Sequence, residues 1–312
     1  MPVTVNVEEL TVEKVQELLA GQRYVADRDL ATAVYLSLVL GKPLLVEGPA
    51  GVGKTEIAKA LAAALDTRLI RLQCYEGLDA HTALYEWNYA KQILRIRLEE
   101  SAGTAGRSLE ERERSIFSEE FLLERPLLAA LRQPDRSPVL LIDELDRADS
   151  EFDAFLLEVL SDFQVTIPEL GTIQARHRPH VIITSNRTRE LSDAVRRRCL
   201  YLWIDYPSPE KERAVIEARL PGIDARLARQ ICQFMQQVRR MDLDKLPGTA
   251  ETLDWARALV LMHVDALEPE VIEPMLGLIV KTNGDVQRLR RALHDGELVL
   301  AAAPAQEVGS DG

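Results

Sequence analysis

Eight residues, Gly48-Pro49-Ala50-Gly51-Val52-Gly53-Lys54-Thr55, constrain the chain more than any other stretch. They fit G-x-x-x-x-G-K-[ST], the phosphate-binding loop of nucleoside triphosphatases. The flanks suit it. Pro43 to Glu47 reads as a short buried strand, and Glu56 to Leu65 as an Ala- and Leu-rich helix. A strand that ends in a glycine loop and opens a helix builds an anion site. Backbone N–H groups point inward, and the helix N-terminus adds roughly half a positive charge. Gly48, Gly51 and Gly53 permit the tight turn and the close approach of phosphate. Lys54 is placed to reach the β- and γ-phosphates, and the Thr55 hydroxyl to ligate magnesium. Residues 48 to 56, Glu56 included, are the expected nucleotide contacts, with ATP and Mg2+ as cofactors.

Two further acids follow downstream. Val139-Leu140-Leu141-Ile142 is an apolar strand that runs into Asp143-Glu144. After a phosphate loop, Asp143 is placed to hold magnesium, directly or through water. Glu144 is placed as general base for the water that attacks the γ-phosphate. A second buried strand, His180 to Ser185, ends at Asn186, whose side chain can orient that water. Arg196-Arg197-Arg198 precedes the last apolar strand, 200–206. The cluster reads as a solvated patch or as the source of an arginine finger for a neighbouring subunit's nucleotide.

The remaining pattern sets the architecture. Apolar spacing predicts helices over 8–20 and 27–40, and a strand over 68–74. Arg23-Tyr24-Val25, between the two helices, reads either as an adenine contact or as plain packing. A long insertion of about 75–125 follows, with aromatic clusters at 85–89 and at Phe117 and Phe121, and a charge run from Arg107 to Arg114. Within it, Ala90 to Leu98 alternates apolar and basic residues and reads as strand-like. A helix is expected over 151–163 and a β-hairpin over about 164–175. Pro207-Ser208-Pro209 breaks the pattern, and only helical periodicity follows to about 300. The reading is an α/β core over 1–206 with a mostly parallel sheet, a small helical domain over 207–300, and a flexible tail over 301–312.

Composition excludes some classes. The net charge of −12 argues against a duplex-binding protein, so no nucleic acid partner is expected. No apolar run reaches the ~18 residues of a membrane span, and the acidic N-terminus lacks an export core. Three cysteines, Cys74, Cys199 and Cys232, stand far apart in no metal spacing and read as reduced thiols. The expected location is cytoplasmic.

Taken together, GPAGVGKT, LLIDELDRA, QVTIPELGTIQ, IITSNRTRELSDAVRRRC and WIDYPSP resemble an AAA+ ATPase of the MoxR type, over about 28–300. The resemblance implies an αβα P-loop core with a five-stranded parallel sheet, an all-helical lid and a hexameric ring. It implies a chaperone that remodels or activates a client, with a von Willebrand factor A-domain protein as partner. By position it makes Lys54 and Thr55 the Walker A residues, Asp143 and Glu144 Walker B, and Asn186 sensor 1. Arg198 becomes the first choice for the finger and Arg197 the second. One feature departs. The stretch Pro247 to Trp255 lacks the lid arginine common in such proteins, which leaves Arg257 or a residue around Arg288 as substitutes. GTAETLDWARAL is similar to the branch that includes CoxD, associated with maturing the metal centre of carbon monoxide dehydrogenase. The competing class is a DNA-processing motor of the same superfamily. A third reading is a scaffold that binds ATP and scarcely hydrolyses it; intact Glu144 and Asn186 count against that.

Overall fold

The computed structural model describes residues 9–101 and 109–299. The chain divides into two compact units. Among the described residues, one comprises 9–22, Ala26–Gly48 and Lys54–Trp203, and the other comprises Arg23–Val25, Pro49–Gly53 and 204–299.

The first unit opens with two capped helices. In α1 (Val12–Gly21) the Thr11 side chain accepts from the Lys14 N–H, and Val15 and Leu19 are buried. In α2 (Arg28–Leu40) Asp27 caps Leu30, and Gly41 ends the helix in the left-handed region. Then come β1 (Leu44–Glu47), α3 (Lys54–Ala64), β2 (Leu69–Gln73), α4 (Ala80–Leu84), β3 (Tyr85–Trp87), α5 (Tyr89–Ser101) and α6 (Leu109–Ile116). The chain continues through β4 (Leu122–Glu124), α7 (Pro126–Leu131), β5 (Val139–Asp143), α8 (Ser150–Asp162), β6 (Gln164–Ile167), β7 (Gly171–Gln174), β8 (His180–Ser185), α9 (Asp193–Arg198) and β9 (Leu200–Trp203).

Five strands form one sheet in the order β2-β5-β8-β1-β9. Every pairing is parallel. All residues of β1 and β5 are buried, as a sheet covered on both faces requires. β2 lies at an edge and alternates instead: Ile70 and Leu72 are buried, while Arg71 and Gln73 are exposed. The fold is thus the expected P-loop αβα sandwich followed by helices. Its strands all point the same way, so Glu47, Gln73, Asp143 and Ser185 gather at their carboxyl ends, where open parallel sheets bind ligands.

The insertion differs from its reading. Ala90 to Leu98 is not strand-like but lies inside α5. Its Ala, Lys, Gln, Leu and Arg residues are good helix formers, and the Asn88 side chain accepts from the Lys91 N–H at the helix start. The strands of this region are the short antiparallel pair β3 and β4. The aromatic cluster is packing, with Trp87 edge-on to Phe117 at 5.3 Å and Phe121 buried. The hairpin at 164–175 is present as antiparallel β6 and β7. β9 stops at Trp203, short of the expected 206. Part of the charge run, and the tail 301–312, lie outside the described residues.

The second unit is helical: α10 (Pro209–Arg219), α11 (Ala225–Val238), α12 (Thr249–Leu261), α13 (Pro269–Ile272), α14 (Leu276–Ile279) and α15 (Asn283–His294). Its core centres on Trp255, packed on Phe234 at 5.1 Å between centroids. A buried ion pair ties three helices. Arg239 donates to both oxygens of Glu212 at 2.6 and 2.9 Å, and Thr252 donates to Glu212 at 2.8 Å. Within the same unit the Ala250 N–H donates to the Gly51 carbonyl at 3.1 Å. A Cβ on Gly248 would stand 2.7 Å from the Gly51 backbone, so only glycine fits there. Of the two substitutes for the lid arginine, Arg288 is held by Asp244 and Asp285 at 2.9 and 2.7 Å. Arg257 is exposed on α12.

Burial pushes the thiols of Cys74, Cys199 and Cys232 up to about 12; Asp143 adds to the effect at Cys74. The thiolate is the reactive form. At pH 8 the folded protein is therefore expected to take up a thiol reagent far more slowly than the protein unfolded in guanidinium. Fast labelling of all three in the folded state would contradict this. Among the described residues, no helix is long and apolar enough to cross a membrane.

Candidate nucleotide site

The loop between β1 and α3 is built for an anion. Gly51 and Gly53 adopt φ of 79° and 96°, which side-chain-bearing residues rarely reach. Val52 is buried and anchors the loop, while Pro49 is half-buried and Ala50 exposed. α3 begins at Lys54, with Glu56 in its first turn, where the Glu56 side chain pairs with Lys59 at 2.6 Å. The N–H groups of that turn and the helix dipole favour negative charge.

Lys54 is buried and aimed along the strand ends. Its Nζ donates to the Gly48 carbonyl at 2.8 Å and to Asn186 Oδ1 at 2.7 Å. Burial pulls its pKa down, and the nearby Asp146, Glu144 and Asp143 oppose that pull. Thr55 Oγ1 donates to Asp143 Oδ1 at 2.9 Å, and Thr184 Oγ1 donates to the same oxygen at 2.6 Å. The other oxygen, Oδ2, takes two N–H groups from Arg71, with Nε at 3.0 Å.

Glu144 is held on both sides. Asn186 Nδ2 donates to Oε1 at 3.2 Å, and Gln73 Nε2 donates to Oε2 at 3.0 Å. Arg147 also pairs with Oε2 at 3.0 Å. The Glu144 backbone sits at φ 55°, a conformation that costs a non-glycine residue energy and recurs at functional positions. The Glu144 N–H donates to Thr184 Oγ1 at 2.8 Å, which fixes the kink.

Lys54, Thr55, Asp143, Glu144 and Asn186 therefore form one connected cluster, although they lie far apart in sequence. Besides Arg71 and Thr184, Gln73 and Asp146 join this cluster without a signal of their own in the sequence. Gln73 ends β2 in register with Asp143, which brings its carboxamide to Glu144. Asp146 is buried and accepts from the backbone N–H groups of Asn186 and Thr188 at 3.1 and 2.8 Å, so it sets the position of Asn186. The only signal for either was proximity to a motif: Gln73 at a strand end, Asp146 two residues after Glu144.

The arginine triplet lies outside this cluster. Arg196 faces inward, 3.5 Å from buried Glu47 and over the Tyr201 ring. Tyr201 donates to Glu47 at 3.1 Å, and Arg187 approaches it at 3.7 Å. Arg197 and Arg198 are exposed. Arg198 donates to Ser161 Oγ and to the Ala194 carbonyl at 3.0 and 3.3 Å.

The donors fit magnesium with a nucleotide. Thr55 and Asp143 offer hard oxygens side by side. Magnesium keeps several waters and takes one or two carboxylates plus substrate phosphates, so a protein set this small suits it.

The chain is 27% identical over 209 residues to an uncharacterized protein of Staphylococcus haemolyticus, covering 65% of this chain and 70% of that protein. Uncharacterized proteins of Staphylococcus aureus strains bovine RF122 / ET3-1 and NCTC 8325 / PS 47 are 26% identical over the same length and shares. The family model for the AAA domain of the dynein-related subfamily matches residues 43–199, from the strand before the phosphate loop to the end of the arginine triplet. With just over half of its length matched, and the phosphate loop, Asp143, Glu144 and Asn186 all inside the match, the chain belongs to the AAA domain family, dynein-related subfamily.

Proposed function

We propose that the protein is a MoxR-type AAA+ ATPase that hydrolyses ATP to remodel or activate a client protein. The observation that carries the ATPase reading is the connected cluster of Lys54, Thr55, Asp143, Glu144 and Asn186 at the carboxyl ends of adjacent strands. The MoxR assignment rests on the hairpin before the β8 strand, on the insertion after α3, and on the motif wording of the sequence.

Each side chain has a defined task. Lys54 exchanges the Gly48 carbonyl and Asn186 Oδ1 for the β- and γ-phosphate oxygens. Thr55 and Asp143 would hold magnesium, which when bound would supply positive charge against the phosphates. Glu144 accepts the proton of the attacking water. Asn186, positioned by Asp146 and bonded to Glu144, orients that water toward the γ-phosphate. AAA+ proteins commonly form hexameric rings, and a ring would let an arginine of the triplet complete a neighbour's site. A von Willebrand factor A-domain partner and a role in maturing a metal centre are the finer parts of the proposal, and the GTAETLDWARAL stretch supports the second.

The test is steady-state phosphate release with Mg-ATP, alone, with added DNA, and with a purified von Willebrand factor A-domain protein from the same host. Basal turnover that the partner changes and DNA leaves alone is expected. Severalfold stimulation by DNA and none by the partner would favour the DNA-processing motor instead. The net charge of −12 weighs against that outcome.

A further inference from the structure

Arg71 is used by none of the steps above, yet it holds the carboxylate on which magnesium depends. Two of its nitrogens, Nε and Nη2, donate to Asp143 Oδ2, with Nε at 3.0 Å. The side chain of Asp143 is 3% exposed, that of Arg71 50%. The carboxylate is thus locked in the wall of the site, and its counter-ion has an open route to water. The opposite oxygen, Oδ1, is taken by the hydroxyls of Thr55 and Thr184. Those are neutral donors, and Thr55 keeps a lone pair for a metal while it donates. A guanidinium is different. Magnesium sits about 2.0–2.1 Å from its oxygen ligands. A dication held with Thr55 on the Oδ1 side would then share this one carboxylate with a positive charge already bonded at Oδ2, and the two repel.

Arg71 has a second bond. It donates to the Gln73 side-chain oxygen, and the Gln73 amide donates to Glu144 Oε2 at 3.0 Å. A continuous chain therefore runs from the metal-side carboxylate to the general base: Asp143, Arg71, Gln73, Glu144. All four lie on β2 and at the end of β5, which pair in register.

We propose that Arg71 is the resident counter-ion of Asp143, that magnesium binding with nucleotide displaces it into solvent, and that its departure loosens the hold of Gln73 on Glu144. Metal arrival would then be linked to release of the base. Arg71 is a positioning residue in this scheme. The proposal rests on the nucleotide-site reading above.

The experiment separates the two. Binding of a fluorescent ADP analogue is measured first on the wild-type protein, in Mg2+ and in EDTA; absence of binding in both would sink the nucleotide-site reading itself. Mn2+ is then titrated into the ADP complex of wild type, Arg71→Gln and Arg71→Lys, followed by electron paramagnetic resonance. Removing the competing cation is expected to tighten Mn2+ binding about tenfold in Arg71→Gln. Arg71→Lys, which keeps the charge and loses the two-pronged bond, falls between. The Arg71 Nε–Hε NMR resonance, identified by its loss in Arg71→Lys, should shift with Mg-ADP and stay in place with ADP and EDTA. Unchanged or weaker Mn2+ affinity in Arg71→Gln overturns the proposal. So does an Nε–Hε resonance that stays put when metal saturates the site. The NMR arm needs wild-type protein, with Arg71→Lys for the assignment, and stands even if Arg71→Gln fails to fold.

Discussion

Glu144→Gln is expected to bind ATP normally and to lose turnover on the order of 10²–10⁴-fold, the usual share of a general base. The substitution keeps the shape of a side chain that two carboxamides already clamp, Asn186 at 3.2 Å and Gln73 at 3.0 Å. It removes the only property the step needs, a carboxylate that accepts a proton. A glutamine there turns its amide toward Asn186, which must rotate its own carboxamide, or toward Gln73 and Arg147, of which Gln73 must rotate and Arg147 must move aside. That adjustment is local. The backbone kink at φ 55° is fixed by Thr184 and does not depend on the side-chain charge. In the proposed site Lys54 and the loop hold the phosphates, and the Glu144 carboxylate bonds to neither. The measurement pairs equilibrium binding of a fluorescent ATP analogue with single-turnover phosphate release. Affinity within about twofold of wild type, roughly 0.4 kcal/mol, together with the fall in rate, is the expected pair. Turnover at the wild-type rate would mean that another group takes the proton. Lys54→Ala gives the contrasting control, since it deletes the cation aimed at the phosphates and should abolish tight binding.

What the sequence revealed of this site follows from how each residue is signalled. Lys54 and Thr55 fill a complete phosphate-loop motif, and Asp143, Glu144 and Asn186 follow apolar strands and gain meaning only because that loop precedes them. The three central strands were legible because burial on both faces demands unbroken runs such as Leu44 to Val46 and Val139 to Ile142. Arg71 and Gln73 were not, because an edge strand that alternates, as Leu69 to Gln73 does, looks like any half-solvated strand. Only the register against β5 shows that its polar face meets Asp143 and Glu144. Asp146 looked like one more acid beside a strand end; its role appears only when the Asn186 backbone is seen to bond to it. α5 was misread for a physical reason too. Its alternation of apolar and basic residues is short, and the helix-forming residues with the Asn88 cap outweigh it.

Mixing two inactive variants, Arg198→Ala and Lys54→Ala, is expected to restore part of the activity. An arginine finger is worth about 10³–10⁵ in turnover, so each variant alone should be nearly silent, for different reasons. Lys54→Ala is expected not to hold ATP; Arg198→Ala is expected to hold it but to lack a finger to donate. In a mixed ring some intact Lys54 sites face an intact Arg198 from the neighbour. The partners of the three arginines make Arg198 a sound choice for removal. Arg196 lies 3.5 Å from buried Glu47, and its loss would strip a buried acid of a cation and disturb the end of β1. Arg198 is exposed, and its partners among the described residues are a serine hydroxyl and a backbone carbonyl. Taking it away strips no acid of its counter-ion there, so stability should fall by at most about 1 kcal/mol. A large loss of turnover in a well-folded Arg198→Ala protein then speaks of chemistry rather than of folding. If mixed rings form and stay silent, donation in trans by this residue is wrong. The same mixture made with Arg197→Ala then asks the question of its exposed neighbour. If Arg198→Ala hydrolyses ATP as wild type does, the residue is a solvated surface arginine.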